Sequence, residues 1–286
     1  MTGSDHFRFS LFCFARSQIR LKIFPLPPRQ AALRSDSWFG AGRLVFLSAA
    51  LLFVLDVTAA PADEQKTMAA SPVVIAASAK HTATVIFLHG LGDTGHGWAS
   101  AMAAVRPPHV KVICPTAPTM PVTLNAGFKM PSWFDLRSLD ANGPEDEDGI
   151  KKACDMVHKM IDEELKEGIS SERIVIGGFS QGGALALYSA LKYNKTLGGV
   201  MALSCWLPMH RQFPAAACGN LDIPYLQCHG DCDPVVPYKW GQATATLLKQ
   251  FLKKAEFKTY RGMMHSSSDE EMRDLKKFAE ANLPPN

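Results

Sequence analysis

Short apolar runs rich in β-branched residues alternate with longer amphipathic segments from residue 83 to the end of the chain. Runs of the first kind are typical of buried strands, and segments of the second kind are typical of surface helices. Their alternation predicts an α/β fold, with βα units around a largely parallel sheet. Strands are predicted over residues 84–88, 110–114, 173–176, 199–204, 225–228 and 256–260, and helices over residues 97–105, 149–167, 181–193, 240–252 and 268–281.

The N-terminal part of the chain has a different pattern. An apolar segment over residues 44–60 follows an arginine, is interrupted by Asp56 and ends in small residues, an order typical of a signal peptide. It begins deeper than the roughly 15–30 residues that a signal occupies, and it is shorter than the ~20 residues that span a bilayer. We predict an extension over residues 1–67, serving targeting or taking no part in the fold, and a folded domain over residues 68–286. A start at Met68 would remove the extension.

Composition narrows the class of protein. The 286 residues are 47% apolar and 20% charged, which suits a globular chain with a large core. The net charge of +3 is uneven, because residues 1–60 carry +4 and the remainder carries −1, so no basic face is left to attract nucleic acid. Seven widely spaced cysteines indicate free thiols and a reducing compartment. We therefore predict a cytoplasmic protein, or a membrane-anchored or secretory one if residues 44–60 direct targeting.

The first chemical signal is a G-x-S-x-G sequence between a predicted strand and a predicted helix, Gly178-Phe179-Ser180-Gln181-Gly182. A tight strand-to-helix turn of this kind holds its serine in a strained conformation, and its glycines let strand and helix approach closely. Ser180 is therefore the candidate nucleophile. The Gln181 N–H, at the helix N-terminus, is a candidate donor for negative charge on a tetrahedral intermediate.

A serine nucleophile needs a base, and in the chain order typical of this turn an acid and then a histidine follow later strands. His265 alone among the nine histidines follows the acid candidates at the end of a predicted strand, and it is the candidate base. Two aspartates follow the strand over residues 225–228. Asp231 lies in a glycine turn and is suited to tie the loop together, whereas Asp233 precedes a proline that holds it extended. We favour Asp233 as the acid.

Two clusters of possible metal ligands are better explained by other roles. Cys228, His229 and Cys232 lie close together in sequence, but a zinc site of this type usually has a second, distant ligand pair. The acidic residues 145–148 precede the predicted helix over 149–167, where negative charge favours a helix N-terminus. We predict no metal.

A second oxyanion donor is expected from the glycine-rich loop after the first predicted strand. The Leu91 N–H is the candidate, and the neighbouring His89 is interpreted as a residue that orders the loop. The loop contains neither glycine pattern of a nucleotide phosphate site.

Six motifs in this order resemble those of the acyl-protein thioesterases, also called lysophospholipase I-like carboxylesterases. They are HGLGDTGHGW at 89–98, PSWFD at 131–135, GGFSQGGA at 177–184, LSCWLP at 203–208, QCHGDCDP at 227–234 and GMMHSS at 262–267. The resemblance extends over residues 83–285. It implies an α/β-hydrolase fold without a large cap domain, and it makes residues 68–286 the catalytic domain.

The resemblance also implies a function. Ser180, Asp233 and His265 would form the triad, with Leu91 and Gln181 as oxyanion donors. The implied reaction removes palmitoyl groups from cysteine thioesters on proteins through an acyl-serine intermediate, with side activity on lysophospholipids and simple esters. No metal or organic cofactor is required. The implied partners are S-palmitoylated proteins and lysophospholipids, met transiently at a membrane surface, and a homodimer stays open.

Substrate contacts are less well defined. The segment over residues 115–135 is rich in Met, Phe, Trp and Pro, and an apolar loop of this kind can cover a groove for an acyl chain. Core packing explains its side chains equally well. The tentative substrate-binding residues are Phe128 and Trp133 in this segment and Trp206 and Leu207 at a later strand end. Two other functions stay open: an esterase or lysophospholipase acting mainly on lipid esters, and a non-catalytic lipid-binding relative.

Overall fold

The computed structural model describes residues 71–140 and 142–286. The predicted extension over residues 1–67, its segment over residues 44–60 and the alternative start at Met68 lie outside the described residues. Within the described ranges, no helix is both long and apolar enough to cross a membrane.

Nine strands and five helices make up the described fold. The strands are β1 (Val73–Ile75), β2 (Ala83–Leu88), β3 (Val110–Cys114), β4 (Thr119–Val122), β5 (Phe128–Pro131), β6 (Ile174–Phe179), β7 (Gly199–Leu203), β8 (Tyr225–Gly230) and β9 (Ala255–Tyr260). The helices are α1 (Gly95–Val105), α2 (Glu147–Lys166), α3 (Gln181–Lys192), α4 (Tyr238–Leu248) and α5 (Asp269–Asn282).

Seven strands form the central sheet in the order β1-β3-β2-β6-β7-β8-β9, and β4 and β5 form a separate antiparallel hairpin. The pairs from β3 to β9 are parallel, and β1 runs antiparallel to β3. In a parallel sheet all carboxyl ends lie at one edge, so the loops after β2, β6, β7, β8 and β9 meet there. This edge carries the candidate site.

Helices cover both faces of the sheet. Ile86 and Leu88 of β2 belong to the core that α2 and α3 cover, whereas Val85 and Phe87 belong to the core under α1 and α5. Alternate residues of a strand point to opposite faces, and when both faces are covered every position is apolar. This burial explains the continuous apolar runs in the sequence.

The predicted fold class and the six predicted strands are confirmed, but three short strands were missed. The hairpin of β4 and β5 occupies much of the predicted loop over residues 115–135, and prolines 121 and 131 within it made the segment look unlike a strand. The helix predicted over residues 240–252 ends at Leu248 in α4. Leu252 is buried beyond the helix end, which extended the apolar pattern past the helix itself. The six cysteines in the described ranges are free thiols.

Candidate active site

Ser180 occupies the turn between β6 and α3 with φ of 53° and ψ of −120°. A backbone conformation of this kind costs a non-glycine residue about 1–3 kcal/mol, so the surrounding structure must hold it. The Ser180 N–H donates to the Leu203 carbonyl at 2.8 Å, and the Ser180 carbonyl accepts from the Ala184 N–H at 2.9 Å. A Cβ on Gly182 would overlap the Leu88 carbonyl oxygen, which is why this position is glycine. The turn therefore presents the serine at the carboxyl edge of the sheet.

Three side chains from three loops meet at this edge. Ser180 Oγ lies 3.0 Å from His265 Nε2, and His265 Nδ1 lies 2.7 Å from Asp233 Oδ2. Because an ionised carboxylate only accepts, Nδ1 carries the imidazole proton, and Nε2 is left to accept the proton of the serine hydroxyl. The Phe179 ring packs against the His265 imidazole with centroids 4.6 Å apart and restricts its rotation. The arrangement can activate Ser180 as a nucleophile.

Asp233 is buried and held at both carboxylate oxygens. Its Oδ1 accepts from the N–H groups of Val235 and Val236, both at 2.9 Å, and its Oδ2 faces His265. Burial alone would raise the pKa of the Asp233 carboxyl, but the contacts with His229 and His265 and the backbone N–H donors together lower it. Asp233 is therefore ionised throughout the physiological range and can stabilise a charged imidazole.

Asp231, the other predicted candidate for the acid, lies in a different environment. Its side chain is exposed, and its Oδ1 accepts from the Gly262 N–H at 2.6 Å. This bond ties the loop after β8 to the loop after β9, which carries His265. The structure thus brings Asp233 to the histidine and gives Asp231 the loop-tying contact expected from its glycine turn.

Two backbone N–H groups are available near Ser180 for an oxyanion. In the described part of the chain, neither the Leu91 nor the Gln181 N–H donates to another protein group. The Gln181 side chain is buried and anchored, because its Oε1 accepts from the Trp133 N–H at 3.1 Å and its Nε2 donates to the Phe134 carbonyl at 2.8 Å. This anchoring, which the sequence analysis missed, joins the serine turn to the segment after β5.

His89 orders the loop that contains Leu91. Its Nδ1 lies 2.7 Å from the Gly90 carbonyl, and its Nε2 accepts from the Ala117 N–H at 3.0 Å. Because one ring nitrogen must donate and the other must accept, the ring is neutral, and burial lowers its pKa further from that of an exposed histidine. Its role is positional, as the sequence indicated.

The hairpin of β4 and β5 is attached to the same loop. The Gly92 N–H donates to the Pro131 carbonyl at 2.9 Å, and a Cβ on Gly92 would lie 3.7 Å from Met130 Sδ. Phe128 lies two positions before Met130 on β5 and therefore on the same face of the strand. It is 72% exposed, and it stays a candidate for substrate contact.

Trp133 and Leu207 do not form an open wall, which corrects their place among the tentative substrate-binding residues. Trp133 is buried and its Nε1 donates to the His89 carbonyl at 2.9 Å, while the Leu207 side chain is buried in the core and its N–H donates to Thr244. Both are core residues because the segments that carry them pack inward. Trp206 is partly exposed at the end of β7 and stays a candidate for substrate contact.

His229, which the sequence analysis considered only as a metal ligand, is part of the site. It is fully buried, its Nε2 lies 2.8 Å from the Val236 carbonyl, and the same atom lies 3.4 Å from Asp233 Oδ2. A histidine at the end of a buried strand, immediately before the acid loop, is the signal that could have identified it. Within residues 71–140 and 142–286, no group of three His, Cys, Asp or Glu residues is arranged to hold a metal ion.

Known proteins resemble this chain in sequence and in structure. Residues 69–283 match the family model described as phospholipase/carboxylesterase. The chain is 43% identical to acyl-protein thioesterase 1 of Gibberella zeae over 75% of this chain and 97% of that protein. It is 45% identical to acyl-protein thioesterase 1 homolog 1 of Dictyostelium discoideum over 71% of this chain and 92% of that protein. The crystal structure of Zea mays acyl-protein thioesterase 2 is similar with a TM-score of 0.67 and 35% identity, covering 74% of this chain and 98% of that chain.

Proposed function

The chain belongs to the phospholipase/carboxylesterase family of hydrolases, and from this we propose that it removes long-chain acyl groups, palmitoyl in particular, from cysteine thioesters on proteins. The observation that carries the proposal is the hydrogen-bonded series Ser180, His265 and Asp233. Relatives at 43% and 45% identity that are named acyl-protein thioesterases support a protein thioester as the substrate.

In the first half of the proposed reaction, His265 Nε2 takes the hydroxyl proton as Ser180 Oγ attacks the thioester carbonyl carbon. The carbonyl oxygen becomes negative and is stabilised by the N–H groups of Leu91 and Gln181. Asp233 keeps the proton on His265 Nδ1 and stabilises the imidazolium that forms. The carbon–sulfur bond then breaks, His265 returns a proton to the departing cysteine sulfur, and the acyl group stays on Ser180 as an ester.

In the second half, water replaces the thiol. His265 Nε2 takes a proton from the water as its oxygen attacks the ester carbonyl, and the same oxyanion donors stabilise the second tetrahedral intermediate. The bond to Ser180 Oγ breaks, the serine regains its proton from His265, and the free fatty acid leaves.

The surroundings of the site suit an acyl substrate on a protein. Phe128, on the exposed face of the hairpin attached to the Leu91 loop, offers apolar surface beside the site, as does Met264, which is 54% exposed and directly precedes His265. We propose that its partners are S-palmitoylated proteins, which it contacts transiently at a membrane surface. We propose the cytoplasm as its location, and the question of a homodimer is left open.

A second function draws on the same residues. The description of the matching family model is phospholipase/carboxylesterase, so lysophospholipids and simple lipid esters are the alternative substrates. The triad acts on an oxygen ester by the same steps, and the two functions differ in which leaving group is preferred.

The proposal is tested by following hydrolysis of an S-palmitoylated peptide and of lysophosphatidylcholine in parallel with the purified full chain. We expect Ser180→Ala to abolish both hydrolysis and fluorophosphonate labelling, since triad residues act as a unit, whereas the exposed-serine control Ser170→Ala should behave as wild type. Faster hydrolysis of the peptide supports the thioesterase, and faster hydrolysis of the lipid favours the alternative. Equal rates for wild type and Ser180→Ala would refute both.

A further inference from the structure

A buried histidine lies directly behind the acid of the triad. His229 is fully buried at the end of β8, and its Nε2 lies 2.8 Å from the Val236 carbonyl and 3.4 Å from Asp233 Oδ2. Asp233 Oδ2 is the oxygen that faces His265 Nδ1. His229 Nε2 therefore lies close to both a loop carbonyl and the catalytic carboxylate.

The contacts determine the protonation state of His229. A backbone carbonyl can only accept, so the short contact with Val236 requires a proton on Nε2. In the described residues Nδ1 has no hydrogen-bond partner, and a Cβ on Gly241 would overlap it. A proton on Nδ1 would be buried without an acceptor, which is costly. The ring is therefore neutral with its proton on Nε2.

Val236 connects this histidine to the second oxygen of the acid. The Val236 N–H donates to Asp233 Oδ1 at 2.9 Å, while the Val236 carbonyl accepts from His229. His229 thus holds the carbonyl of the same residue whose N–H donates to Asp233 Oδ1, and it also faces Asp233 Oδ2 directly. Loss of the imidazole would leave the Val236 carbonyl without its donor and would remove the N–H that faces Asp233 Oδ2.

The ionisable groups around the pair are few in the described structure. His229 and His265 face the Asp233 carboxylate, and Tyr238 of α4 packs edge-on against the His229 ring with centroids 5.9 Å apart. The Tyr238 hydroxyl lies 2.5 Å from Thr259 Oγ1 on β9 rather than against the histidine. His229 and His265 are consequently the two titratable side chains that face Asp233 Oδ2 among the described residues.

We propose that His229 is a positioning residue for the triad, whose neutral imidazole fixes the loop over residues 233–236 around the Asp233 carboxylate and withdraws part of its charge from His265. The inference rests on the proposed function, because it assigns a role within the same reaction. Without the His229 donor, more negative charge acts on His265, so the acidic limb of the pH–rate profile should move to higher pH.

The test compares two variants with a matched control. His229→Leu removes the donor at similar volume, whereas His229→Gln keeps an N–H₂ donor at the position of Nε2. The control is His109→Leu, because His109 is also buried and its Nε2 contacts a backbone carbonyl, that of Leu283, at 2.8 Å, but it lies before β3 at the opposite end of the sheet. The kcat and KM for an S-acyl peptide are measured from about pH 5 to 9, with thermal melting of each variant.

We expect His229→Leu to lower kcat about tenfold with little change in KM, and to move the acidic limb of kcat/KM upward by roughly half to one pH unit. His229→Gln should restore the wild-type limb, and His109→Leu should lose thermal stability with its limb unchanged. A folded His229→Leu variant with the wild-type limb would overturn the proposal. If Ser180→Ala were as active as wild type, the proposed function itself would fail.

A measurement on the wild-type chain covers the case in which His229→Leu does not fold. Nitrogen NMR of imidazole-labelled protein at neutral pH should show the proton of His229 on Nε2, as the contact with the Val236 carbonyl requires. A His229 that carries its proton on Nδ1 would overturn the proposal independently of any activity.

Discussion

Glu271 should make the wild-type fold less stable as the pH rises. It lies in the first turn of α5, is fully buried, and has no hydrogen-bond partner for either carboxylate oxygen among the described residues. Burial, and secondarily the charge of Asp274, raise the pKa of the Glu271 carboxyl from 4.5 to about 8. The side chain is therefore protonated in the folded protein at neutral pH.

The size of the effect follows from proton linkage. Between pH 4.5 and about 8 the folded chain retains a proton at Glu271 that the unfolded chain has released, so the free energy of unfolding falls with rising pH. The loss is about 1.4 kcal/mol per pH unit and about 3 kcal/mol by pH 7, and it is complete above the folded-state pKa. Glutamine has nearly the same shape and never ionises, so Glu271→Gln should escape this loss.

The assay is urea unfolding of wild type and variant under reducing conditions at about pH 5, 6, 7 and 8. The difference in unfolding free energy should grow with pH in favour of Glu271→Gln, and contributions from other titrating groups cancel in it. The neighbouring Glu270, which is exposed, supplies the control, because Glu270→Gln makes the same chemical change without a buried carboxyl. A difference between Glu271→Gln and wild type that does not vary with pH would refute the reasoning.

Three further predictions concern the site. Asp233→Asn should lower kcat by about four orders of magnitude, whereas Asp231→Asn should lower it about tenfold at most. Steady-state kinetics of both variants test this, and the reverse ranking would contradict the choice of acid. Gly182→Ala should destabilise the chain by about 1–3 kcal/mol and reduce turnover, because the new Cβ would overlap the Leu88 carbonyl. Urea unfolding and kinetics test this, and wild-type stability and turnover would contradict it by showing that the turn can relax. Phe128→Ser should raise KM for palmitoyl but not for acetyl thioesters, and equal effects on both would exclude an acyl-chain contact.

Much of the predicted fold and candidate site rested on residues that lie close together in the sequence. The strand, glycine and serine pattern around Ser180 describes the local turn directly, because every residue that shapes it lies within a few positions in the chain. The alternation of apolar and amphipathic segments indicated the parallel sheet, and the order of Asp233 and His265 after later strands was enough to nominate them. The same local logic failed for Trp133 and Leu207, because an apolar residue beside a site and one in the core beneath it have the same sequence pattern.

The sequence by itself determined the fold class, the serine turn and the short set of residues from which a triad could be assembled. Only the tertiary structure decided that Asp233 rather than Asp231 faces His265, that Gln181 anchors the segment after β5, and that His229 stands behind the acid. These contacts join residues on different strands and helices. Their geometry depends on strand order, on register and on how closely α4 approaches β8 at Gly241, and hydrophobic periodicity, which describes one segment at a time, does not encode such relations between segments.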